Sequence, residues 1–154
     1  MLYSTGKRGF IMSSLLKKFR LTDEFLGAYE KLVIEQVIPY QEKALNDEIE
    51  DAEKSHAIEN FRMAAQMLEK GSCEGEFYGM VFQDSDVAKW LEAAAYSLVH
   101  KPDQELEQRM DDLIALIGRA QHKDGYLNTY FTVKEKDRRW TDLQEAHEPV
   151  SYTH

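Results

Sequence analysis

The sequence of 154 residues has few of the features that mark particular classes of protein. It has one cysteine, Cys73, so an internal disulfide framework and a zinc site made of several cysteines are both excluded. No apolar run approaches the roughly 20 residues that a membrane-spanning helix needs. The 19 Lys and Arg are outnumbered by 28 Asp and Glu, which gives a formal net charge of -9. Such a chain repels phosphate-rich partners, so we expect neither a nucleic-acid binder nor an anionic-membrane binder.

Short motifs of known mechanism are also absent from the sequence. It contains no glycine-rich phosphate loop, no Gly-x-Ser-x-Gly turn and no His-Glu-x-x-His pair. The five histidines never stand four residues apart, so no helix presents a histidine pair to a metal. Cys73 lies between two glycines without an adjacent base, and we interpret it as a tolerated thiol rather than a nucleophile.

The clearest positive signal is helical periodicity. Apolar and aromatic residues recur at helical spacing through residues 23–45, where Tyr29, Leu32 and Val33 begin the repeat. Thr22 is a candidate N-cap for this helix. Pro39 lacks a backbone donor, so we expect it to kink or divide the helix.

Three further helices are predicted in the middle of the chain. Ser55 is a candidate cap for the first, the second begins at Asp84 or Ser85, and Asp103 caps the third. We expect residues 76–83 to form an ordered aromatic loop and residues 126–133 a short extended piece. No alternation is strong enough to predict a sheet, so the predicted fold class is all-α, with four or five antiparallel helices.

The two ends of the chain differ from its middle. Residues 1–11 lack periodicity and are too polar for a secretory signal, so we expect either a disordered tail or a leader upstream of a true start at Met12. Residues 140–147 have the pattern of another helix, which Pro149 would stop. We therefore divide the chain into residues 1–11, a folded part at 12–148 and a divergent tail at 149–154. With no signal and a lone cysteine, we expect a cytoplasmic protein.

Aromatic residues are concentrated in the loops after Gly75 and raise the question of a sugar site. Aromatic faces beside Gln, Asn and Asp are typical of carbohydrate sites, because C–H faces stack while hydroxyls form hydrogen bonds. Ordinary core packing is the alternative, and composition alone favours it. Asp84 and Asp86 likewise have a simple explanation as helix-capping residues. The aromatic residues concerned are Phe77, Tyr78, Phe82, Trp90, Tyr126, Tyr130, Phe131 and Trp140.

Several segments, in order and at similar spacing, resemble the bacterial β-L-arabinofuranosidases of glycoside hydrolase family 127 (GH127). The longest match is residues 76–92, EFYGMVFQDSDVAKWLE. The others are VIPYQ at 37–41, LNDEI at 45–49, SHAIENF at 55–61, AQHKDGYLNT at 120–129 and the pair His147-Glu148. The resemblance covers about residues 21–148.

The resemblance implies a fold and a chemistry. Family members have a catalytic (α/α)6 barrel followed by β-sandwich domains, so this chain would be an incomplete (α/α)6 barrel. They cleave terminal β-L-arabinofuranosides with retention, using a cysteine nucleophile on a zinc site of cysteines and a glutamate, and a separate acid/base glutamate. All of those residues lie beyond the matched part of the family, so the resemblance assigns this chain no catalytic residue and no zinc of its own.

The resemblance also suggests substrate-binding residues. The family's pocket histidine corresponds to His147, which would form a hydrogen bond to a sugar hydroxyl. Asp84 and Tyr126, in matched segments, are the other two candidates.

Three functional hypotheses follow from these observations. The first is a truncated arabinofuranosidase-like fragment that is inactive alone. The second is one half of a split glycosidase, completed by a separately encoded remainder. The third is a non-catalytic helical module that binds an arabinofuranoside-type sugar. A partial barrel would also expose faces meant for missing neighbours, so self-association is expected.

Overall fold

The computed structural model describes residues 18–141 and 143. Within that part the chain is helical and contains no strand, which confirms the predicted all-α class. The elements are α1 (Glu24–Leu32), a π-helical turn (Val33–Val37), α2 (Ile38–Leu45), α3 (Ala57–Lys70), α4 (Asp84–His100), α5 (Gln104–Ala120), α6 (Thr129–Val133) and a 3-10 turn (Lys136–Arg138).

The first predicted helix forms, with two differences from expectation. Asp23, rather than Thr22, caps α1, because its side chain accepts a hydrogen bond from the Leu26 amide at 2.7 Å. The interruption at Pro39 is a π-helical turn, in which the Ile38 amide donates to the Val33 carbonyl. Pro39 then lies in the first turn of α2, where its missing donor removes little. The chain therefore stays helical through the proline.

Local capping signals account for the starts of α3 and α5 and for the end of α3. The Ser55 hydroxyl accepts from the Ala57 amide at 3.3 Å, although His56 occupies the N-cap position of α3. Gly71 ends α3 in the left-handed conformation that favours glycine, with φ +78°. The Asp103 carboxylate accepts from the amides of Glu105 and Leu106, both at 3.0 Å, at the start of α5.

The prediction of an extended piece at residues 126–133 is wrong, because Thr129–Val133 is helical. Asn128 caps this helix by accepting a hydrogen bond from the Phe131 amide at 3.0 Å. The β-branched residues of the segment favour a strand on propensity, and the cap outweighs that preference. Most of the helix predicted at residues 140–147 lies outside the described residues, as do residues 1–17.

The core lies around α3, which packs against α5 and α6. The Trp90 indole on α4 donates to the Ile38 carbonyl at 3.0 Å, which ties α4 to α2 through a buried hydrogen bond. By contrast, α1 buries none of its residues. Among the described helices, none is long and apolar enough to cross a membrane.

Candidate functional site

The starts of α3, α4 and α6 come together at one end of the fold. The Gln83 side-chain amide, just before α4, donates to the Ser55 carbonyl, just before α3, at 2.7 Å. The Asp84 carboxylate at the start of α4 accepts from the Thr129 amide at the start of α6, at 2.7 Å. The segments matched in the sequence, 55–61, 76–92 and 120–129, thus converge in space.

Asp84 is a buried link between two helices. Asp84 is only 3% exposed. The second oxygen of its carboxylate accepts a hydrogen bond from the Thr129 hydroxyl at 2.5 Å. The carboxylate therefore holds the start of α6 beside the start of α4, whose N-cap residue is Gln83. Nothing in the structure tests the predicted substrate role of Asp84, which stays a prediction.

Tyr126 lies at the centre of three aromatic rings and one guanidinium group, which we call the Tyr126 cluster. Its members are His122, Tyr126, Arg139 and Trp140. The Arg139 guanidinium carbon lies 3.7 Å from the centroid of the Tyr126 ring, a cation–π contact. The Trp140 ring meets the same ring edge-on at 5.0 Å between centroids, and His122 does so at 5.7 Å. Tyr126 is 6% exposed, whereas Trp140 is 54% exposed. The cluster thus presents its tryptophan to solvent and keeps its tyrosine inside.

Two groups at the Tyr126 cluster, Asp124 and His122, have lowered pKa values. A hydrogen bond from Arg139 to Asp124, 2.8 Å long, lowers the pKa of the Asp124 carboxyl, and the Tyr126 amide adds a second hydrogen bond. Burial lowers the pKa of His122, the positive charge of Arg139 lowers it further, and Asp124 opposes the shift. The His122 Nε2 atom lies 3.0 Å from the Thr132 hydroxyl. A neutral imidazole is therefore favoured in this site.

Arg139 is the residue of this cluster that sequence reasoning missed. Its Nε atom is buried without an acceptor in the described part of the chain. The aromatic residues at 126 and 140 were the available signal, because a guanidinium readily stacks on aromatic faces.

The loop at residues 76–83 is held by amide side chains. Asn60, fully buried, donates to the Tyr78 carbonyl at 2.8 Å and accepts from the Tyr78 amide at 3.4 Å. Gln83 accepts from the Met80 amide at 3.0 Å, and Asn128 donates to the Val81 carbonyl at 3.3 Å. The predicted ordered loop is confirmed, and its order comes from three amides that lie before, within and after it.

This rigid loop presents apolar side chains outward. Tyr78, Met80 and Phe82 are all exposed, while Phe77 packs edge-on against Tyr130 at 5.2 Å between centroids. Exposed aromatic faces on an immobilised backbone suit stacking against a sugar ring.

The third predicted site residue, His147, lies outside the described residues. Cys73 is half-buried, and the described residues contain no group of three or more His, Cys, Asp and Glu side chains able to hold a metal ion. The described residues therefore do not fit the family's zinc–cysteine site.

A separate groove of about 840 Å³ runs between α2, α3 and α5. Glu42, Trp90 and Arg109 are among its lining residues, and the Glu42 carboxylate accepts from Arg109 at 2.7 Å. Neither Asp84 nor Tyr126 lines it. We place the candidate site at the converging helix starts, because the matched segments meet there.

Comparisons with known proteins agree with the resemblance seen in the sequence. A family model described as β-L-arabinofuranosidase, GH127 catalytic domain, matches residues 18–153. The non-reducing end β-L-arabinofuranosidase of Bifidobacterium longum subsp. longum is 42% identical in an alignment of 144 residues, and the match covers 83% of this chain and 21% of the relative.

Two solved structures of such enzymes share the fold. A GH127 β-L-arabinofuranosidase from Geobacillus stearothermophilus T6 gives a TM-score of 0.78 at 61% identity, over 84% of this chain and 20% of that one. A second GH127 β-arabinofuranosidase gives 0.64 at 31% identity, over 76% of this chain and 17% of that one. The chain spans about a fifth of the length of the relatives it matches.

Proposed function

Because the chain belongs to the GH127 β-L-arabinofuranosidase catalytic-domain family, we propose that it forms the sugar-binding N-terminal part of such a domain and does not hydrolyse glycosides alone. The observation that carries the proposal is the family match over residues 18–153, combined with coverage of only about a fifth of each relative. The sugar class, a β-L-arabinofuranoside, is taken from the names of those relatives.

The sugar would bind where the helix starts converge. The loop at 76–83 offers exposed aromatic faces, and the Tyr126 cluster offers the exposed Trp140 ring. His147 would form a hydrogen bond to a sugar hydroxyl, as the sequence resemblance implies. The Asp84 carboxylate, whose oxygens both accept from Thr129, would keep the start of α6 in place beside the loop at 76–83.

The absence of hydrolysis is proposed on the chemistry of glycoside cleavage. Retaining cleavage needs a nucleophile and an acid/base group placed on opposite sides of one bond. The family nucleophile is a cysteine on a zinc site, whereas Cys73 is the single cysteine here and corresponds to no family motif.

Incubation of the purified chain with a β-L-arabinofuranoside, with and without added zinc, tests this part of the proposal. We expect no release of arabinose, while a full-length GH127 enzyme run in parallel releases it. Zinc-dependent turnover by this chain alone would overturn the proposal.

A split enzyme is the second candidate function, favoured by the short coverage of the relatives and by α1, which exposes Phe25 and Tyr29. In that case a separate polypeptide carrying the remaining four fifths would restore activity. Co-expression with the corresponding part of a GH127 relative is the test, and hydrolysis by the pair but by neither part alone would establish it.

A further inference from the structure

Two rings stand together beside the start of α3, of which Tyr78 is exposed and His56 is half-buried. The ring centroids of His56 and Tyr78 lie 5.0 Å apart with the planes tilted by 53°. The Tyr78 hydroxyl donates to the Glu53 carboxylate at 2.7 Å, and the second Glu53 oxygen has no donor among the described residues. We call His56, Tyr78 and Glu53 the ring platform.

The backbone beneath the ring platform is fixed on both sides. Asn60 forms two hydrogen bonds with the Tyr78 backbone, and the Asp47 carboxylate accepts from the amides of Ser55 and His56 at 2.7 and 3.0 Å. His56 has φ +53°, a left-handed conformation that is uncommon outside glycine. Such a conformation persists only where the surroundings enforce it, so the platform is held in place before any ligand arrives.

We propose that the ring platform binds one sugar unit of an arabinose-containing oligosaccharide, at a position separate from the Tyr126 cluster. The C–H face of a furanose would stack on Tyr78 and His56, and a hydroxyl would donate to the second oxygen of Glu53. The nearby carboxylates of Asp47 and Glu53 disfavour a phosphorylated sugar, so the platform suits an uncharged one. The choice of arabinose rests on the proposed function.

The chain offers a matched control for this platform. Tyr96 on α4 is 45% exposed, as is Tyr78, and its hydroxyl also donates to a carboxylate, that of Glu92 at 2.9 Å. No aromatic ring stacks on Tyr96 within the described chain. The two tyrosines therefore differ mainly in the ring partner and the ordered loop.

Titration by NMR with a β-L-arabinofuranosyl disaccharide, for wild type, Tyr78→Ala and Tyr96→Ala, tests the proposal. Loss of a stacking ring is expected to raise the Kd of Tyr78→Ala about tenfold, with Tyr96→Ala within about twofold of wild type. Tyr78→Leu keeps an apolar side chain without a ring and should weaken binding by a similar factor. This variant replaces Tyr78→Ala in the test if Tyr78→Ala fails to fold.

The outcomes separate this inference from the proposed function. If wild type binds and both Tyr78 variants bind equally well, the ring platform is overturned while the proposed function stands. If wild type shows no binding at millimolar disaccharide, both are contradicted.

Discussion

Asp84 shows how a single carboxylate positions this site. A substitution Asp84→Ala would leave the Thr129 amide and hydroxyl buried and unpaired, so we expect a loss of about 2–4 kcal/mol in the free energy of unfolding. The control is Asp86→Ala, two residues along the same helix turn, where the carboxylate is exposed and pairs with Lys89 at 3.3 Å. Its cost should stay within about 1 kcal/mol. Urea unfolding of the two variants measures the difference, and equal losses would refute the role of Asp84.

His122 makes stability depend on pH in a defined direction. Its pKa is lowered below the ordinary 6.5, chiefly by burial, so the unfolded chain takes up this proton at a higher pH than the folded chain does. Its contribution to stability is therefore complete above about pH 6.5 and is lost as the pH falls toward the lowered pKa. Between pH 7.5 and pH 5.5, the urea concentration at the midpoint of unfolding should fall further for wild type than for His122→Gln. The same fall in both proteins would contradict this assignment.

At the residue scale, the sequence indicates candidate positions but not the contacts that those residues form, and the substrate roles of Asp84 and Tyr126 stay predictions. Asp84 and Tyr126 were selected from matched segments and both prove buried at the converging helix starts. The hydrogen bonds from Thr129 to Asp84 join residues 45 positions apart, and no local sequence pattern predicts such a contact. Arg139 was missed for the same reason, since its stacking depends on where Tyr126 lies in space.

Among the elements, α5 depends on its cap. The Asp103 carboxylate accepts hydrogen bonds from two backbone amides at the start of this helix. The substitution Asp103→Ala should therefore destabilise the protein by about 1–2 kcal/mol. Asp111→Ala, on the exposed face in the middle of α5, should change stability by less than about 0.5 kcal/mol. Thermal and urea unfolding of both variants provide the comparison, and a neutral Asp103 substitution would show that the cap is dispensable.

Elements with local signals were predictable and elements set by tertiary packing were not. The start of α5 follows from the Asp103 side chain next to the helix, and the end of α3 follows from Gly71. The helix at Thr129–Val133 contradicts its β-branched composition, because Asn128 caps it while also bonding the loop carbonyl of Val81. The π-helical turn before Pro39 likewise has no signature in periodicity.

On the scale of the whole molecule, α1 leaves an apolar face uncovered. Phe25 is 67% and Tyr29 55% exposed, and their rings lie 4.9 Å apart between centroids. We expect the isolated chain to associate with a second copy through this face. Sedimentation velocity should show a concentration-dependent dimer for wild type and a monomer for the double variant Phe25→Ser, Tyr29→Ser. A Tyr96→Ser control should still dimerise, and a monomeric wild type would contradict the expectation.

The family resemblance and the helical fold, both inferred from the sequence, are confirmed by the comparisons. Length alone would have allowed a complete small domain. The match to the family's catalytic domain covers residues 18–153, and the chain spans about a fifth of the length of the relatives it matches.

The most direct test of sugar binding without cleavage is one NMR time course of the purified chain with methyl β-L-arabinofuranoside and zinc. Saturation transfer from protein to sugar reports binding, and the anomeric signal reports cleavage in the same sample. We predict transfer at millimolar sugar with an unchanged anomeric signal. Absence of transfer, or the appearance of free arabinose, would contradict the account.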